Sequence, residues 1–215
     1  MSDNKFTPEK TGEMKFSIPV YQRLFAWKEK EVKELMEDLK YHFDHCLNEP
    51  KPYYIGMLTT INKNGIYDLI DGQQRFTMMT LMAIVWRLYH DGWEQFLMRG
   101  ERVKFVARTE DEVYIKNKAS ENKKSQDYIN RDMESGIKTI EMFMEGKFDS
   151  DTKRKRFAEK TYKNLTFFVT ELPAGYLDDG ASLNNYFDVM NSAGRSLEEH
   201  EVIKVDLMRN MENQE

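Results

Sequence analysis

Apolar positions along the chain change period several times, and each change marks an element. Phe16, Ile18 and Val20 alternate with Lys15, Ser17 and Pro19, the period of a strand. Pro19 puts that strand at a sheet edge or ends it, because proline offers no N–H to a ladder. From Glu29 to Leu47 the period lengthens, and Val32, Leu35, Met36, Leu39, Phe43, Cys46 and Leu47 form one helical stripe. Glu29 and Glu31 sit where the helix dipole favours acids, and the prolines of Asn48-Glu-Pro-Lys-Pro52 stop the helix. Tyr53–Ile61 and Ile66–Ile70 are β-rich runs on either side of Asn62-Lys-Asn-Gly65, a strong hairpin signal. A helix follows from Gln73 to His90. Phe76, Met79, Leu81, Met82, Ile84, Val85, Trp86 and Leu88 make it apolar nearly all round, which predicts burial.

Residues before Glu13 read as a polar lead-in, and after Asp91-Gly92 the pattern weakens. Arg102–Arg108 alternates as a strand would, Tyr128–Phe148 and Lys153–Lys163 read as helices, and Leu165–Leu172 as a strand closed by Pro173 and Gly175. Ser182–Met190 predicts a helix broken at Asn191-Ser-Ala-Gly194. Ser196 with Glu199 is a capping box that opens a last helix reaching almost to Glu215, so a continuation of the chain is expected. The sum is an α+β fold, with a small mixed sheet packed by a long buried helix and a mainly helical second half. It divides into a 14–92 core and a 93–215 extension, or forms one continuous domain.

Composition narrows the function classes. At 40% apolar and 13% aromatic the chain can build a bulky core, and 32% charged residues with a mean hydropathy of −0.73 give a well-solvated surface. A net charge of −5 argues against a protein that simply coats nucleic acid. The one cysteine, Cys46, excludes an internal disulfide and fits a reducing cytoplasm. No apolar stretch is long enough to span a membrane, and the first residues have no signal-peptide apolar region. His42 and His45 have no partner at metal-ligand spacing.

The stretch that concentrates chemistry is Asp68-Leu-Ile-Asp-Gly-Gln-Gln-Arg75, a strand running through an abrupt turn into the buried helix. Gly72 permits the turn, and Asp71 with Gln74 three residues on fits a capping box. Free N–H groups at a helix start attract an anion, Arg75 adds a charged fork suited to phosphate, and Asp71 adds a carboxylate for a metal ion or a water. Asp-Gly is equally a common turn and Asp an ordinary cap, so the residues alone leave a structural and a functional reading open. Gln22 and Arg23, beside Tyr21 and Trp27, could form a second anion-recognising corner or act as plain packing and ion-pair residues.

Three blocks taken together resemble a known family: Ile18-Pro-Val-Tyr-Gln-Arg23 with Trp27, Asp71-Gly-Gln-Gln-Arg75, and Phe187-Asp-Val-Met-Asn-Ser-Ala-Gly-Arg-Ser-Leu197 with Glu201. The chain is similar, from about Phe16 to Leu207, to the N-terminal domain of GmrSD-type modification-dependent restriction endonucleases, which is related to the ParB/sulfiredoxin-like fold. The resemblance implies an NTP-binding and hydrolysing domain of a DNA restriction, phage-defence system. Asp71 and Arg75 would be catalytic, and Asp71 would hold Mg²⁺ or another divalent ion. Arg23, Gln22, Gly72, Gln73, Gln74, Thr77, Asn191 and Gly194 would bind the phosphates. Phe76 and Met78 stand where the family more usually has Leu and Thr. Its partners would be an NTP, modified DNA and a His-Asn-His nuclease domain. None of His42, His45, His90 and His200 sits in such a motif, so that domain is expected on a further C-terminal segment or a partner chain.

Two other readings come from the residues. The Arg99–Lys124 stretch, with eight Lys/Arg against five Asp/Glu, and the Lys153–Lys163 helix suit a DNA-binding or modification-sensing module without catalysis, with Lys153, Arg154, Lys155 and Arg156 on phosphates. Alternatively the domain would itself cleave DNA through Asp71 and a metal.

Overall fold

The Asn62–Gly65 turn sets the register of the sheet. Asn64 and Gly65 take φ of 54° and 87°, the left-handed pair that a type I′ turn needs, and the Asn62 carboxamide accepts from Gly65 N at 2.9 Å. The turn joins strand β3 (Tyr53–Lys63) to β4 (Ile66–Asp71) in an antiparallel pair. A computed structural model describes residues 4–46, 51–120, 128–173, 175 and 186. Within them lie also β1 (Lys5–Phe6), β2 (Lys15–Ile18), β5 (Val103–Phe105) and β6 (Leu165–Glu171). The helices are α1 (Glu29–His45), α2 (Gln73–Trp86), α3 (Gly92–Leu97), α4 (Thr109–Ala119), α5 (Arg131–Lys147) and α6 (Asp151–Asn164). The mixture is α+β, as the hydrophobic periods predict.

The six strands form one mixed sheet in the order β1-β6-β3-β4-β2-β5. Strand β4 is interior, antiparallel to β3 and parallel to β2. Because β2 and β4 run the same way, Pro19 after β2 and Gly72 after β4 leave the sheet at the same edge. This edge is where open parallel strands present their carboxyl ends and, generally, their ligands. Pro19 is therefore a strand exit rather than a mark of an edge strand. The lead-in that reads as polar contains β1, whose Phe6 stacks on Phe167 at 6.1 Å. The sheet thus draws strands from both halves of the chain. The helix α4 carries little periodic signal; it is fixed by tertiary contacts, chiefly buried Tyr114 and Ile115.

One core holds the helices against the sheet. Phe16 of β2 meets Phe76 of α2 at 4.3 Å between ring centroids, and Trp86 at the far end of α2 meets Trp93 and Phe157 at 5.3 and 5.5 Å. Every residue of α2 except Arg75 is buried. Gly136 lets α5 approach α2 closely, since a Cβ there would come within 3.0 Å of Leu81. The start of α5 is capped by Asn130, which accepts from Met133 N at 3.1 Å. The same Asn130 and Tyr128 donate to the buried carboxylate of Asp111, at 2.8 and 2.9 Å, tying α4 to α5. Among the described residues no helix is long and apolar enough to cross a membrane.

Arg102 carries an unusual burden for a charged residue. It is 2% exposed, and its guanidinium donates to the carbonyls of Phe96, Gly12, Met14 and Gln95 at 2.6 to 3.3 Å. Burial lowers its pKa to about 10. It belongs to the Arg99–Lys124 basic stretch that the sequence offers to DNA. There Arg102 is a core residue, and Arg108, Lys116 and Lys118 pair with Asp111, Glu112 and Glu134. Those four cations are committed to the fold, whereas Arg99 and Lys104 are exposed and Lys123 and Lys124 lie outside the described residues. Arg102→Ala strands four carbonyls and is expected to cost about 3 kcal/mol in urea unfolding. Arg102→Lys should restore only part of this, because one ammonium cannot reach all four.

Candidate functional site

The site is built at the edge where β4 gives way to α2. Gly72 occupies the N-cap position with φ of 91°, a left-handed conformation that a side chain would resist, and a Cβ there would strike Leu58 and the Met57 carbonyl. The N-cap is therefore Gly72 and not Asp71, and no side chain caps the helix. Asp71 is the last residue of β4 and points instead at Arg75, whose Nη2 lies 2.9 Å from its Oδ2. The capping box fails because Gln74 is drawn elsewhere. The first helical bond runs from Phe76 N to Gly72 O at 2.9 Å. The backbone N–H groups of Gln73, Gln74 and Arg75 thus remain without acceptors among the described residues, as at any uncapped helix start.

Two glutamines clamp the 19–27 loop onto this corner. Gln22 Nε2 donates to the Ile70 carbonyl at 2.7 Å. Ile70 is the extra residue of a bulge, where Thr59 pairs with Asp71 and Thr60 with Leu69, so its carbonyl is free to accept. Gln74 accepts from Ala26 N at 2.9 Å and donates to the Leu24 carbonyl at 2.7 Å. Both side chains are engaged with backbone, and the anchors at Gln22 and Leu24 hold the backbone of Arg23, between those two, beside the corner. Arg23 is exposed and has no hydrogen bond or ion pair among the described residues. Gln73 is buried, and its amide likewise has no partner there. Thr77, four residues on and on the same helical face, is also buried.

Arg75 itself is fixed on two sides. Gly56 of β3 has φ of 124° and lies at a second bulge, where Ile55 is skipped in the pairing with β6. A Cβ at Gly56 would collide with Arg75 Nη1, so the guanidinium rests on bare backbone. The group that comes close to the bare backbone of Gly56 is Arg75. Asp71 and Arg75 are partly exposed, with 42% and 29% of their side chains open. A half-open ion pair of this kind contributes little to stability and is easily exchanged for another partner.

Two contributors have no clear sequence signal. Thr59, fully buried opposite Asp71, accepts from the Tyr186 hydroxyl at 2.7 Å. Burial raises the pKa of Tyr186, the nearby Asp71 charge adds to this, and Arg75 opposes it. Tyr186 therefore brings the second half of the chain to the corner. Asn191 and Gly194 lie outside the described residues. Behind the corner, Asp68 pairs with Lys63 at 2.8 Å and, after burial, is the second cause of a raised Tyr21 pKa.

The proposed DNA contacts of α6 separate on inspection. Arg154 donates to the Met144 and Phe148 carbonyls at 3.1 and 2.9 Å and pairs with Asp151 at 2.7 Å, so it closes the α5–α6 turn. Lys153 pairs with Asp149 at 2.7 Å, whereas Lys155 and Arg156 are exposed without a partner among the described residues. Among those residues no group of three or more His, Cys, Asp or Glu side chains is placed to hold a metal ion.

A mixed sheet whose interior strand turns through a glycine into a buried helix, with Asp, Arg and uncapped amides at the turn, defines the chain as an α+β domain. Residues 5–208 match the model of the GmrSD restriction endonuclease N-terminal domain, and the chain belongs to that family. It is thereby part of a restriction system. No curated protein matches the chain.

The Gly56–Arg75 contact is testable in isolation. Gly56→Ala is expected to cost about 3 kcal/mol, from strain at positive φ and from the collision. In an Arg75→Ala background the collision is absent, so the cost should fall by about 1 kcal/mol in a double-mutant cycle read by urea unfolding.

Proposed function

We propose that the domain binds a nucleoside triphosphate at the Asp71–Arg75 corner and hydrolyses it with a divalent cation, in the service of DNA restriction. The observation that carries this reading is that the loop bearing Arg23, which has no partner among the described residues, meets the uncapped N–H groups after Gly72 and the exchangeable Asp71–Arg75 pair at one sheet edge. Phosphate oxygens would accept from those N–H groups and from the Gln73 amide. Arg75 would neutralise the charge that spreads over the transferred phosphoryl group, and Arg23 would hold the phosphates in ground state and transition state alike. Gln22 and Gln74 act as positioning residues that keep the Arg23 loop in place.

A triphosphate arriving beside Arg75 competes with Asp71 for the guanidinium and frees the carboxylate. Asp71 is then placed to orient an attacking water or to bind Mg²⁺. A single carboxylate fits Mg²⁺, which commonly takes one or two from protein and the rest of its shell from phosphates and water. When bound, the ion would neutralise the phosphates and polarise a water. DNA cleavage is assigned to a His-Asn-His domain on a further segment or a partner chain.

Asp71→Ala and Arg75→Ala are each expected to lower NTP turnover by roughly 100-fold or more, the usual cost of removing a charge that acts in the transition state. Arg23→Ala should raise KM more than it lowers kcat. A coupled phosphate-release assay on the purified chain measures all three. Equal rates in wild type, Asp71→Ala and Arg75→Ala would overturn the reading.

A further inference from the structure

A second concave site lies among helices at the far end of α2 from the corner. It is a cleft of about 460 Å³ between the C-terminal end of α1, the end of α5 and one face of α6. Five cations line it: Lys40, Lys147, Lys153, Arg156 and Lys160. Lys153, Arg156 and Lys160 recur at i, i+3 and i+7, so one face of α6 supplies three of them. Asp44 is the one carboxylate in the lining, in a chain whose net charge is −5. The basic face is thus a local reversal of the molecule's overall sign.

The state of each cation decides what the cleft can do. Lys160 donates to the Phe43 carbonyl at 3.2 Å, and Lys40 stands 5.8 Å above the Phe148 ring while pairing with Asp44. Lys147 and Lys153 pair with Glu37 and Asp149 at 2.6 and 2.7 Å, with all four side chains about half exposed or more. Such surface pairs are worth little and yield readily to a stronger anion. Arg156 has no partner among the described residues. The floor rings, Phe43, Phe148 and Phe157, are 1%, 7% and 5% exposed and offer no apolar anchor to a peptide side chain. What the cleft presents is point charge, mostly ammonium, which suits phosphate groups rather than base edges.

We infer that this cleft is a docking site for the phosphate backbone of DNA, separate from the nucleotide corner and indifferent to base sequence. The choice of DNA rests on the family's restriction role; the site itself does not depend on NTP hydrolysis at Asp71–Arg75. Lys147, Lys153 and Arg156 make the contacts, while Lys40 and Lys160 also serve the end of α1. Of the α6 residues that sequence offers to DNA, Lys153 and Arg156 belong to the site; Arg154 and Lys155 do not.

The test is fluorescence anisotropy of a short labelled duplex with the whole chain across a salt series. Lys147→Gln, Lys153→Gln and Arg156→Gln together are expected to weaken binding about tenfold or more at low salt and to flatten the log–log salt slope by about 2 to 3. A variant with the same charge change elsewhere, Lys10→Gln, Lys30→Gln and Lys33→Gln, should bind within about twofold of wild type. If the cleft triple does not fold, Arg156→Gln alone should flatten the slope by about 1. Asp71→Ala should bind DNA as wild type does, so loss of NTP turnover and loss of DNA binding are read separately. No binding by wild type at low salt, an unaffected cleft variant, or equal loss in both triples would overturn the inference. The first outcome would leave an acidic protein surface as the alternative occupant.

Discussion

The structure depends on one buried helix having a single open place. α2 is enclosed along its length, and only Arg75, in its first turn, reaches the surface. A helix packed on all sides cannot tilt or slide without disturbing the core, so whatever its N-terminus presents is held rigidly. The glycine before it supplies the turn, and the absence of a capping side chain leaves its first N–H groups unclaimed. The arrangement costs the protein a cap that would ordinarily add about 1 kcal/mol. α3, α4 and α6 also lack a capping side chain, so what sets α2 apart is the open Arg75 beside those N–H groups rather than the missing cap itself.

The surroundings of Arg75 repeat this logic with side chains. Two bulges, at Ile70 and at Ile55, deform adjacent interfaces of the sheet beside the same corner. One frees a carbonyl for Gln22, and the other accompanies the side-chain-free backbone of Gly56 on which Arg75 lies. Bulges redirect strands at functional edges, and here both serve to place charged groups. Gln22 and Gln74 then fasten the loop that carries Arg23. The parallel pairing of β2 with β4 makes all this possible, because it sends the Arg23 loop and the Gly72 turn out of the same side of the sheet.

Much of this is legible in the sequence. The β3–β4 hairpin, α1 and α2 are set by strong local signals, Asn-Gly and unbroken apolar periodicity, that tertiary context has no reason to override. The acid, glycine and arginine of the corner can likewise be read directly. What cannot be read is who partners whom. Gln74 three residues after Asp71 satisfies the spacing of a capping box, yet the 20–26 loop offers it two backbone partners and prevails. Arg102 reads as one more surface cation, yet it is buried because four carbonyls converge on it, those of Gln95 and Phe96 close by and those of Gly12 and Met14 far away in sequence. β1 and α4 escape notice because short elements carry too few residues to show a period. Tyr186 escapes because its role at the corner shows in a contact with Thr59 across more than half the chain, which no local pattern announces.

The position of the basic cleft gives the central helix a second role. Trp86, the last residue of α2, packs on Phe157 of the cleft floor. At 1.5 Å per residue the two ends of α2 are about 20 Å apart. The corner and the cleft are thus mounted on opposite ends of one element that cannot bend independently of the core. Charge brought to the corner acts on Arg75 and Asp71 directly; α2 is one route from there to Phe157, and β3 with β6, into which α6 runs, is another. A domain in a restriction system that handles nucleotide at one end and phosphate backbone at the other would need such a stiff connection. A flexible link would let each end relax separately, so that no strain at the first was felt at the second.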